Sequence, residues 1–93
     1  MSLDATRWAW TKTGLRPIHK LVLLSLADRA SADDKAFATC DHIVADTGAD
    51  RKTVLDGLKV LRDFGLISAI GELNEGKNKI WKLHCRTDKD ASI

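Results

Sequence analysis

The side chains in this sequence best suited to chemistry are cations at the start of a helix. Arg51, Lys52 and Thr53 directly follow Asp50, a good N-cap residue, and Val54 opens an apolar series behind them. A guanidinium presents paired donors that fit guanine O6 and N7 or two phosphate oxygens. An ammonium adds a mobile point charge, and a hydroxyl adds a short donor to phosphate or a base edge. The first turn of a helix favours acids, because its unpaired N–H groups carry the positive end of the macrodipole, and each cation there costs roughly 0.3 kcal/mol or more. A polyanion brought against that turn reverses the sign.

Neighbouring carboxylates bear on the same chemistry. The plain alternative is that the two cations are solvated, or paired with Asp46, Asp50 or Asp56. Unpaired, Asp50 and Asp56 would repel phosphate. Asp50 has a second use as a cap, and Asp56 either accepts a hydrogen bond from cytosine N4 or faces away. Further on, Lys77, Asn78 and Lys79 sit at a turn from which they would hold a nucleic-acid backbone or enter a minor groove. Lys59 and Lys82 are weaker candidates.

Other chemistries find less support. Cys40-Asp41-His42 and His84-Cys85 hold soft ligands, but a strand over 79–84 points His84 and Cys85 to opposite faces, so two ordinary thiols and no metal are expected. No nucleophile stands with a base at useful spacing, no glycine-rich phosphate loop is present, and His19 and His42 have no evident proton to move. Neither an enzyme nor a cofactor is expected.

The elements that must position the cations follow from spacing. Residues 2–10, with Ser2 or Asp4 as cap, predict a short helix that Gly14 and Pro17 interrupt. Trp8 and Trp10 in this arm need cover, either from the domain's own core or from a second copy of the chain. Pro17 suits a first helical turn. From Ile18 to Ala30 apolar residues cover nearly the whole circumference, so this helix is expected to be buried on more than one side.

Ser31 to Lys35 predicts an exposed loop, and Ala36-Phe37-Ala38 a short strand. Thr39 then caps a helix with Asp41 near its positive end, Ile43, Val44 and Thr47 turned inward, and Gly48 as its left-handed stop. After the turn Gly48-Ala49-Asp50, the repeat Val54, Leu55, Leu58, Leu61, Phe64 predicts the next helix, ended by Gly65 with Leu66 folding back. Leu66–Leu73 and Lys79–Leu83 predict a hairpin, with Trp81 and Leu83 inward and Lys82 outward.

Composition sets the frame. Of 93 residues, 44% are apolar and 30% charged, which suits one domain that buries roughly 60–65% of its unfolded surface. Residues 1–16 are expected to form an N-terminal arm, 17–85 the domain, and 86–93 a polar tail lacking periodicity and disordered. Net charge is only +2, so the local placement of cations matters more than their number. The longest apolar run, Leu21 to Leu24, is far short of a membrane span, and no charged-then-apolar leader precedes it, so a cytoplasmic address is expected.

Leu3 to Trp10, Lys20 to Asp28, Thr47-Gly48 with Arg51-Lys52-Thr53-Val54, and Gly65-Leu66-Ile67 together resemble the winged helix-turn-helix proteins of bacteriophages, prophages and plasmids. The likeness is closest to the N-terminal domain of replication-protein-O-like initiators and spans residues 3–84. Where that family often has Trp-Pro-Ser before the second helix, this chain has Phe37-Ala38-Thr39, and Asp50 replaces a more usual Ser or neutral residue. The resemblance implies an α+β fold: a three-helix bundle, a C-terminal β-hairpin wing and a short N-terminal arm or helix. It also implies double-stranded DNA binding through the helix that begins at Arg51.

The expected function is therefore sequence-specific DNA binding by a small transcriptional regulator or replication-related factor, with a possible homodimer through Trp8 and Trp10. A winged-helix module that binds a protein partner instead is the alternative.

Overall fold

Among residues 3–73 and 78–85, which the computed structural model describes, the elements run α1 (Leu3–Thr11), α2 (Pro17–Asp28), β1 (Lys35–Phe37), α3 (Cys40–Thr47), α4 (Arg51–Asp63), β2 (Ile67–Leu73) and β3 (Asn78–Leu83). The strands form one antiparallel sheet in the order β1-β3-β2. Helices α2 to α4 with β1 between the first two, and a hairpin following the third, make a winged helix-turn-helix. The expected tail and the hairpin tip at 74–77 lie outside the described residues.

Helix α2 is the central post. Its apolar circumference is covered by α1 on one side, α3 and α4 on others, and the sheet below. Val22, Leu23 and Leu26 are fully enclosed, and each large aliphatic buried this way contributes about 1.5–3 kcal/mol relative to exposure. From the sheet, Ile67, Trp81 and Leu83 face the same core, because the register pairs Ile67 with Leu83 and Ala36 with Trp81. The inward assignment of Trp81 and Leu83 therefore holds.

Helix α1 lies against α2 through Ala5 and Ala9, one turn apart and both fully buried. Side chains this small let two backbones approach closely. Lys20 of α2 then reaches the end of α1, where its ammonium donates to the carbonyls of Trp10 (2.7 Å) and Lys12 (2.9 Å). Carbonyls at a helix C-terminus lack intrahelical partners and carry the negative end of the dipole, so a cation there satisfies both needs. Trp8 packs half-buried against the core with Lys12 over its ring, whereas Trp10 remains 61% exposed beneath Lys20.

Two expectations need correction. The segment 31–35 is not simply an exposed loop. Asp34 is 2% exposed and has a left-handed φ of 65°, its N–H donates to Ser31 O (3.0 Å), and its carbonyl accepts from Leu83 N–H (2.9 Å). Pairing with the end of β3 pulls the loop inward. Nor do Leu55 and Phe64 belong to the buried stripe of α4. The stripe is Val54, Gly57, Leu58 and Leu61, which leaves Leu55 on the exposed flank, while Phe64 is the C-cap residue and points outward.

Gly57 sits where α4 crosses α2. A Cβ built there would lie 3.1 Å from Val22 Cγ2 and 3.6 Å from His19 Cδ2. Alanine would favour the isolated helix by about 1 kcal/mol, so glycine at this interior position is explained by the close helix crossing.

Candidate nucleic-acid interface

The turn between α3 and α4 is held by local bonds the sequence could specify. At the front of α3, Thr39 Oγ1 accepts from His42 N–H (3.1 Å), and His42 Nδ1 accepts from Thr39 N–H (3.3 Å). This reciprocal capping box makes His42 a structural cap, a use the sequence reading missed. At its far end Thr47 Oγ1 donates to Ile43 O (2.8 Å) and accepts from Ala49 N–H (3.2 Å). Gly48, at φ 76°, takes the left-handed turn that ends α3, a conformation other L-residues adopt only with strain.

Asp50 then caps α4, accepting from Thr53 N–H at 2.8 Å. Hydrogen bonds from Thr53 hold the Asp50 carboxyl below the usual carboxylate range. The acid that suits the positive helix end is thus present at the cap, and the cations follow it. At the other end Leu66 N–H donates to Leu61 O and Gly65 N–H to Arg62 O, both at 3.0 Å, the paired closure of a Schellman motif.

With both ends fixed, the first turn of α4 exposes Arg51 and Lys52, the second exposes Asp56, and Lys59 is exposed at the start of the third. Thr53 sits half-buried at the edge, its N–H already used by the cap. Arg51 has a carboxylate partner, though not one of the three weighed from the sequence. Its Nη1 lies 3.6 Å from Asp41 Oδ1, with the two side chains 66% and 89% exposed. An ion pair this open is worth between nothing and about 1 kcal/mol, so a phosphate can displace it.

Asp46 is engaged elsewhere. Arg29 donates to its two oxygens from Nε and Nη2, both at 3.0 Å, and Ser25 Oγ donates at 2.7 Å. The Arg29 hydrogen bond, followed by that from Ser25, lowers the Asp46 pKa. This brace ties α3 to α2 and keeps that carboxylate off the cationic turn.

Asn78 and Lys79 open β3, and Lys77 lies outside the described residues. Lys82 is half-buried, and its ammonium donates to Asp33 O at 2.6 Å, so it serves the sheet-loop junction. Three exposed residues on α4, Leu55, Arg62 and Asp63, carry no signal that singles them out in the sequence. In the fold, Leu55 is separated from the core by Gly57, which occupies the stripe position between Val54 and Leu58 and shifts the buried face away from residue 55.

Among the described residues, no three His, Cys, Asp or Glu side chains gather at metal-binding distance, and no helix is long and apolar enough to cross a membrane. Comparison with curated proteins and with solved structures returned no match. Residues 13–67, more than half of the chain and including α2, β1, α3 and α4, match the family described as a helix-turn-helix domain. The chain belongs to this helix-turn-helix family, and membership suggests DNA binding in general.

Proposed function

We propose that this protein binds double-stranded DNA at a specific site, inserting the first two turns of α4 into the major groove. The observation that carries the reading is the exposure of Arg51 and Lys52 at a helix start whose dipole disfavours them, behind an Asp50 cap that fixes their direction. Lys59 continues the cationic side, Asp56 is the acceptor suited to cytosine N4, and Asn78, Lys79 and Lys77 extend the contact along the hairpin. The protein acts without catalysis or cofactor, in the cytoplasm, as a small regulator or replication-related factor of the phage and plasmid kind that its sequence resembles. It pairs as a homodimer through the arm, with Trp10 as the exposed contact and Trp8 supporting it from the core.

Binding to selected duplexes across a salt series tests this. If a dimer neutralises about six phosphates, the log-log slope is about −5. A flat series, or binding that survives Arg51→Ala with Lys52→Ala unchanged, rejects it.

The exposed carboxylates Asp41, Asp50 and Asp56 around the cations favour a second reading, in which the same face engages a protein. Capture of a partner that persists in the double alanine variant, with no duplex retained by the native chain at any salt, would support it.

A further inference from the structure

Leu55 is 49% exposed in the second turn of α4, on the outward side of a helix whose core stripe is complete without it. It stands four residues after Arg51, three after Lys52, four before Lys59 and seven before Arg62, so each of these cations lies about one or two turns along the same flank. All four are exposed. An aliphatic side chain half-exposed among cations adds little to the core and is poorly matched to a hydrated surface. It suits a surface that is itself polyanionic overall and apolar at one point.

The major groove of duplex DNA has that pattern. Phosphates line its rims, and the one apolar group that base edges present in it is the C5 methyl of thymine. We infer that Leu55 is a specificity-determining residue that packs on a thymine methyl while Arg51 and Lys52 hold the flanking phosphates or guanine. This rests on the DNA-binding reading and adds to it the identity of one base. The adjacent Asp56 reads the other class of edge, the cytosine amino group, so neighbouring residues of one turn would favour a pyrimidine-rich strand.

The test uses the full chain and the tightest duplex recovered by selection from random sequences. Each thymine in turn is replaced by deoxyuridine, which removes the methyl and leaves base pairing intact. The native chain should lose about fourfold in affinity at one position of each half-site, the ratio that burial of one methyl-sized apolar surface supplies. Leu55→Ala should bind the thymine and uracil duplexes equally, with an unchanged salt slope and an unchanged melting temperature.

Several results overturn the inference. Binding with a normal salt slope but no uracil-sensitive position removes the Leu55 assignment and leaves DNA binding standing. A uracil effect of equal size in Leu55→Ala moves the methyl contact to another residue. Failure to retain any duplex at any salt overturns both readings.

Discussion

Helices α3 and α4 flank the same three-residue turn, yet the fold holds them by different means. The short helix α3 is secured at its ends. Thr39 and His42 cap each other, Asp41 sits at the positive end of the dipole, and Asp46 is clamped by Arg29 and Ser25. The longer helix α4 is secured mainly along its middle, through Val54, Gly57, Leu58 and Leu61, with the Asp50 cap at its front and the Gly65–Leu66 closure at its back. Polar side chains at the ends of α3 are occupied by the protein itself. Arg51, Lys52 and Asp56 on the first two turns of α4 are left exposed.

The largest change expected from breaking this contrast comes from the middle of α4. Gly57→Leu forces a branched side chain into the 3.1 Å approach to Val22 and should cost about 3 kcal/mol in denaturant unfolding. A loss below about 0.5 kcal/mol would mean that the crossing is looser than it stands and that α4 is held elsewhere.

Next in size is the front of α4. Arg51→Ala with Lys52→Ala should weaken duplex binding about thirtyfold per protomer at physiological salt and lower the salt slope by about 2. Folding stability should stay the same or rise slightly, because the dipole mismatch is relieved. A marked drop in melting temperature would show that these cations serve the fold.

The end-secured helix gives a smaller response. Thr39→Ala removes the acceptor for His42 N–H and should cost about 1 kcal/mol, read by chemical denaturation. Affinity for duplex should fall no more than stability does.

The smallest effect is the pH response of the α4 cap. Because folding lowers the Asp50 pKa, its stabilising contribution is present above the unfolded aspartate value and is lost as pH falls through the folded one. Asp50→Asn retains a capping oxygen without the titration. The difference in melting temperature between native chain and variant should therefore shrink as the solution is acidified below the ordinary aspartate range, and a constant difference would remove Asp50 from the linkage.

These contrasts also explain which features were legible in the sequence. Thr39, Gly48, Asp50 and Gly65 were readable because capping joins residues only a few positions apart, so the physics is local. The order of helices and strands followed from apolar spacing, and Trp81 and Leu83 from alternation along a strand. Asp34 and Lys20 were not readable in this way. Each acts on a partner that the fold brings near from far along the chain, Leu83 for the first and the end of α1 for the second. Leu55 illustrates a further limit. Three- and four-residue spacing admits it to the apolar series of α4, and only the near approach of α2 at Gly57 fixes which side of the cylinder is dry.

That approach at Gly57 has an evolutionary consequence. The separation of the two helix axes is set from beneath, by a residue with no side chain, so the outward positions of α4 can be exchanged without disturbing how the cylinder sits in the body. Descendants could thus change the chemistry of that outward surface by rewriting a few codons, while the glycine underneath would resist replacement in all of them.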